Sequence, residues 1–354
     1  MSYTPVQAPF NAGLVGDDAT AALFSVRAEL EAMLSFEVAL AGAQAEVGLI
    51  EPAAARAIAA ALPAYRPDMD ALRTGGARDG VVVPELVRAL RELVGEHGGS
   101  LHFGTTSQDV VDTAAMMRGR DAVGLHRDRL SILLDELDDM RGREGRRQIM
   151  ARTRMQRALP IRAEHKLHNW LHLVATTYEA APERFPVQLG GPDGTLHLMG
   201  DHGLEVALGT AERLGLTCPQ HHWQVNRAPI VEIAQWFANT SGALGKIGAD
   251  IALMAQNEVA EVRVAGAGGS SAMAHKRNPV KAEVLIALAH FAAVLAGGMG
   301  HAMVHENERS GAMWTLEWML LPQLAVACGA STRLALELIW SLEWCDGPRP
   351  APTS

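Results

Sequence analysis

Two hydroxyls, a lysine and an asparagine fall close together in the segment Gly268-Gly269-Ser270-Ser271-Ala272-Met273-Ala274-His275-Lys276-Arg277-Asn278-Pro279. A glycine pair gives the segment freedom at its start. Its end reads as a helix opening, with Asn278 as N-cap and Pro279 at the first helical position, where a missing N–H costs nothing. The apolar run from Val280 to Val294 then predicts a long buried helix. The loop therefore delivers hydroxyls and an ammonium to the positive end of a helix, where negative charge is favoured. A serine placed there loses its proton more readily than in water, because Lys276 and the helix terminus both stabilise the oxyanion. The competing reading of the same residues is a Gly/Ser linker between helices.

A second group of hydroxyls lies in His102-Phe103-Gly104-Thr105-Thr106-Ser107-Gln108-Asp109-Val110-Val111-Asp112-Thr113-Ala114. Thr105 with Gln108, or Thr106 with Asp109, has capping-box spacing, so a helix should start here. It should run to about Arg141, with Leu130, Leu133, Leu134 and Leu137 inside. Its start is a second candidate anion site, or else an ordinary cap. Arg141, Arg143, Arg146, Arg147, Arg152, Arg154, Arg157 and Arg162 crowd the next segment. Such a run is usually a solvated or inter-subunit ion-pair surface, but guanidinium groups also grip carboxylates bidentately.

Metal chemistry finds little support. His165 and His168 lack a carboxylate partner, and His301-Ala302-Met303-Val304-His305-Glu306 is not HExxH, because the glutamate follows the second histidine. The stretch Gly190-Gly191-Pro192-Asp193-Gly194-Thr195 is too irregular for a phosphate loop or dinucleotide fingerprint. Cys218, Cys328 and Cys345 are widely separated, which suits a reducing compartment and neither a disulfide framework nor a thiolate metal site. No metal and no cofactor is expected.

The elements that must position these groups are helical. The 354 residues can bury a substantial core, and the composition is globular. A net charge of −9 argues against a general nucleic-acid binder. Neither a secretory leader nor an uninterrupted apolar span is visible, so a cytoplasmic protein with no membrane partner is expected. Residues 1–20 read as irregular. Helices are predicted from Ser25 to Ile50, from Pro52, Pro67 and Pro84, from Arg162 to Ala181, from Pro229 to about Val262, and finally to about Trp344. Pro186 to Gly200 should be loop. No segment has a sustained period of two, so the fold class is all-α. Three very long helices cannot each bury their apolar surface in one slender chain, and burial in an oligomeric bundle is the physical solution.

Three stretches carry a family resemblance. The Ser270 loop resembles GSSxMPxKxNP of the fumarase/aspartase superfamily, with Ala274 in place of the usual proline. Thr106 to Ala114 resembles TSxDxxDTA of its adenylosuccinate lyase and carboxymuconate cycloisomerase branches. Thr153 to Pro160 resembles GRTHxQxAxP, with Arg154 where many relatives have an acid–base histidine. Narrowest of all, Glu306 to Pro322 resembles the ERxxGxWxxEWxxLP stretch of the 3-carboxy-cis,cis-muconate cycloisomerases, with the glycine at 311.

The resemblance implies a central twenty-helix bundle in a homotetramer, with each active site shared between subunits. The implied domains are an N-terminal helical domain (1–106), a long-helix bundle (107–345) and a disordered tail (346–354), without the family's small C-terminal domain. The implied activity is cofactor-independent conversion of 3-carboxy-cis,cis-muconate, a small polycarboxylate, to 4-carboxymuconolactone in protocatechuate breakdown by the beta-ketoadipate pathway. Ser270, Lys276 and Asn278 would be catalytic. Thr106, Ser107, Gln108, Arg154, Ser271, Met273 and Arg309 would bind substrate. The alternatives are a 3-sulfomuconate or other substituted-muconate cycloisomerase, a fumarate-releasing lyase such as an adenylosuccinate lyase, and a non-catalytic scaffold. The arginine at position 154 and the Trp314/Trp318 stretch weigh against the fumarate-releasing lyase.

Overall fold

The computed structural model describes residues 10–266, 268–269, 273 and 276–345. Ser270 and Ser271 therefore lie outside the described residues, as does the tail. The chain begins with short helices α1 (Ala12–Val15) and α2 (Asp18–Leu23), so the segment expected to be irregular is partly helical. The cause is local: Asp17 caps α2, and its carboxylate accepts from the Thr20 N–H and hydroxyl and from Arg129.

Next come α3 (Val26–Glu46), α4 (Pro52–Ala61), α5 (Met69–Asp79) and α6 (Val83–Val94). Their apolar faces gather around Phe36, Ile58, Leu62, Leu86 and Leu90. Helix α7 (Ser107–Glu144) is the spine of the molecule. Its first turns, at Val110 and Ala114, pack in that N-terminal cluster, which also takes in Val206 and Ala211. Its later turns pack in the main core through the fully buried Leu130, Leu133 and Leu137. Each such leucine contributes on the order of 2 kcal/mol.

Beyond α7 the arginine-rich segment is an antiparallel hairpin, β1 (Gln148–Thr153) with β2 (Gln156–Arg162), which period-two patterning did not announce. Arg154 (φ 49°) and Met155 (φ 66°) turn it, both in the left-handed region. That is the conformation a two-residue hairpin loop demands. The chain continues through α8 (Ala163–Glu179), the loop at 186–196, α9 (Gly203–Leu214) and α10 (Ala228–Met254). Helix α10 stops eight residues short of the expected Val262. Strand β3 (Val262–Val264) follows and pairs with β4 (Leu342–Trp344), into which the expected end of the last helix resolves.

Helices α11 (Val280–His301) and α12 (Gly311–Trp340) complete the bundle. Pro279 takes the N-cap position of α11, one residue later than predicted for that cap. Asn278 instead exchanges backbone hydrogen bonds with Gly268 (2.8 and 3.1 Å), and this bridge closes the base of the Ser270 loop. Helix α11 presses on α10 at backbone distance. A Cβ on Gly245 would stand 2.4 Å from the Ala289 Cβ, and one on Gly248 2.7 Å from the Ala282 carbonyl.

By length and composition α11 and α12 are both apolar enough to cross a membrane, despite the charges that interrupt them. Most of α12 is buried in the bundle of this chain, whereas α11 shows an apolar face with Val294 73% exposed.

Candidate active site

The start of α7 is built by its own residues. Thr106 is the N-cap, and Thr106 with Asp109 forms the reciprocal capping box. Of the two registers the spacing allowed, this is the one adopted. The approach is fixed as well. His102 (φ 62°) places Nδ1 2.6 Å from Glu37 Oε1, and Gln44 donates to the Phe103 carbonyl at 2.7 Å. Thr106 and Ser107 remain half-buried, leaving hydroxyls and first-turn N–H groups at the helix end. Gln108 turns inward instead. It donates to Asp112 Oδ2 (3.1 Å) and to the Gln224 carbonyl (2.8 Å).

Asp109 clasps the neighbouring loop to this start. Its fully buried carboxylate accepts from the N–H groups of Gly190 and Gly191, both at 2.9 Å, and from the Thr105 hydroxyl at 2.9 Å. Burial pushes its carboxyl up to about 6, against the pull of those donors. A Cβ at 190 would lie 2.9–3.0 Å from the Gln224 carboxamide, so any larger residue there has to displace that side chain from its bond to the Gly191 carbonyl. On the outer side Arg309 donates to the Pro192 carbonyl at 3.1 Å, and its Nε is buried with no partner among the described residues.

Beneath the clasp lies a buried ion set. Arg227 grips Asp112 at 2.7 and 3.1 Å and Glu317 at 2.8 and 2.6 Å. The Trp314 indole donates to Asp112 Oδ1 at 2.8 Å and stacks edge-on against Trp318 at 4.6 Å between centroids. Burial opposes the charge on Arg227, but Asp112 and Glu317 outweigh it and hold the guanidinium above its ordinary range. The set ties the starts of α7, α10 and α12 to one point. Sequence reasoning quoted Asp112, Trp314 and Glu317 in motifs but assigned them no role, and passed over Arg227. The available signal was Glu317, a charged residue inside an apolar helical run, since buried charge must be paired, whereas Arg227 at the N-cap of α10 carried no such local signal.

The remaining predicted residues sit elsewhere. Arg154 is exposed at the tip of the β1–β2 hairpin, just beyond the far end of α7. That helix has 38 residues, which is about 57 Å at 1.5 Å per residue. Glu261 joins the hairpin to the approach of the Ser270 loop, accepting from the Met150 N–H (3.0 Å) and from Arg152 (3.0 and 3.1 Å). Lys276 and Met273 are exposed, and the Lys276 N–H donates to the Met273 carbonyl at 3.1 Å. Thr106, Ser107, Gln108 and Arg309 thus gather at one pole of the bundle. Arg154, Met273, Lys276 and Asn278 gather at the other. Among the described residues, the predicted site residues of one chain thus fall into two separate groups. Among the described residues no cluster of three or more His, Cys, Asp or Glu could hold a metal.

A lyase family model matches residues 15–293. The 3-carboxy-cis,cis-muconate cycloisomerase of Pseudomonas aeruginosa is 37% identical over 333 residues, covering 91% of this chain and 72% of that protein. A nitrosuccinate lyase of Streptomyces davaonensis is also 37% identical, over 91% of this chain and 72% of its own. The crystal structure of 3-carboxy-cis,cis-muconate lactonizing enzyme from Pseudomonas putida superposes with a TM-score of 0.89 at 34% identity, covering 96% of this chain and 78% of that one.

Proposed function

This chain belongs to the lyase family, with the all-α long-helix fold of the fumarase/aspartase enzymes, and from that premise we propose that it is a cycloisomerase converting 3-carboxy-cis,cis-muconate to 4-carboxymuconolactone. The observation that carries the reading is the 37% identity to a cycloisomerase over nine-tenths of the chain.

The reaction moves atoms within one molecule. A substrate carboxylate oxygen bonds to a carbon of the conjugated system, and the π electrons shift onto a second carboxylate. That leaves a doubly charged aci-carboxylate, and a proton delivered to the adjacent carbon restores it. The barrier is electrostatic, so fixed cations and N–H donors are what the site must supply.

Ser270 is assigned the proton transfer at carbon, and Lys276 with Asn278 the stabilisation of the aci-carboxylate. Thr106 and Ser107 hold a carboxylate at the start of α7, while Gln108, expected to do so, is buried and committed to Asp112 and Gln224 and so supports that start from within. Arg309 and Arg154 neutralise the remaining charge, and Ser271 and Met273 line the site. Because these residues sit at two poles, the working site takes its halves from different chains. The exposed apolar face of α11 supports the same oligomer, since it needs cover. In this reading an N-terminal helical domain ends at residue 106, the long-helix bundle begins at residue 107, and the enzyme works in the cytoplasm.

A second reading is favoured by the equal identity to the nitrosuccinate lyase. The two separate in one assay. Loss of conjugated-diene absorbance with 3-carboxy-cis,cis-muconate, abolished by Ser270→Ala, is expected. Turnover of nitrosuccinate with none of the muconate would replace the first reading with the second.

A further inference from the structure

We infer that His305 is a positioning residue for Arg309, holding the segment between α11 and α12 through a charge contact with Glu317 that depends on the imidazole proton. The inference rests on the proposed substrate-binding role of Arg309.

The segment from Met303 to Glu308 exposes every residue except one. Met303, Val304, Glu306, Asn307 and Glu308 face solvent, whereas the side chain of His305 is wholly buried. Its imidazole is thus the plug that fixes this segment to the bundle, four residues before Arg309. The plug is placed on charge. His305 Nε2 lies 3.5 Å from Glu317 Oε1, and among the described residues neither ring nitrogen has a hydrogen-bond partner. Asp112 and Glu317 share the single guanidinium of Arg227, so two negative charges meet one positive charge.

An imidazolium at 305 supplies the second positive charge, and the buried set becomes neutral. Burying two ion pairs is tolerable, whereas burying an uncompensated carboxylate costs several kcal/mol. Of the charged groups, Glu317 on α12 meets the ring, Glu306 is the adjoining acid on its own segment, and Arg227 at the start of α10 and Asp112 on α7 are linked to it through Glu317. Once the proton leaves, the attraction to Glu317 goes with it, and the segment keeps the packing of the ring and the bond from Arg309 to the Pro192 carbonyl. Arg309 then loses the anchor that sets its reach.

The test compares wild type with His305→Asn over about pH 5 to 8, the interval in which an imidazole changes charge. With the muconate, wild-type KM is expected to rise severalfold across that interval while kcat changes little. The variant should show KM raised about tenfold at low pH and flat thereafter. A variant that keeps both the wild-type KM and its pH dependence overturns the inference. Thermal unfolding of both proteins across the same interval reads the contact without substrate. Wild type should lose Tm relative to the variant as pH rises, and parallel curves overturn the inference even if the muconate is not the substrate.

Discussion

Arg227 is the residue on which the first pole depends. Its side chain is fully buried, and its fork satisfies two carboxylates at once, which a lysine point charge cannot reproduce. Arg227→Met leaves Asp112 buried without a cation and Glu317 with only the His305 contact, and denaturant unfolding should show a loss of about 3–5 kcal/mol. Arg227→Lys keeps one positive charge and should lose less than that, and a loss near zero from the lysine variant would mean that fork geometry is irrelevant here. Asp109 gives a pH dependence with a defined sign. Its folded carboxyl titrates at about 6, above the ordinary value of 3.8, so the folded chain binds that proton more tightly than the unfolded one. Its contribution to stability is therefore full below the ordinary value and lost as pH rises through about 6. Between those limits Asp109→Asn should flatten the fall in Tm relative to wild type, and identical slopes would count against this origin.

Among the elements, the β1–β2 hairpin separates role from structure most cleanly. Arg154 and Met155 both hold left-handed backbone, which costs a non-glycine residue about 1 kcal/mol. Asparagine tolerates that conformation, so Arg154→Asn should keep or slightly raise Tm while removing the guanidinium. If Arg154 neutralises a substrate carboxylate, KM should rise about tenfold with the fold intact, and an unchanged kcat/KM would remove it from the site. The hairpin is anchored by Glu261, whose carboxylate reaches both Met150 and Arg152. A change at Arg154 therefore need not disturb the approach of the Ser270 loop.

For the whole molecule, the two poles make a prediction that no single-site variant can. Ser107→Ala damages one half-set and Lys276→Met the other, and each alone should reduce activity by at least a hundredfold. Unfolding and refolding the two variants together should regain activity, because some sites then draw an intact half from each chain. If each site draws its halves from different chains, random mixing should bring the regain to about a quarter of wild type, since each half is intact in half of the chains. No regain on mixing would mean that the site closes within one chain.

How much of this was legible in the sequence follows from the range of the forces involved. The Thr106 cap, the proline-led helix starts and the long apolar runs were readable because capping, ring closure at proline and helical periodicity act over a few residues. The loop around Lys276 and Asn278 shows its motif in the sequence for the same reason, although Asn278 proved to bridge Gly268 instead of capping α11. Helix ends were less legible. Helix α10 stops at Met254, before strand β3 is drawn into pairing with residues some eighty positions later, and no local pattern encodes that partner. The union of Asp112, Arg227 and Glu317 across more than two hundred residues was decided by the tertiary structure alone. Their pairing answers the desolvation cost of burying charge, and that cost exists only once the three helices have met.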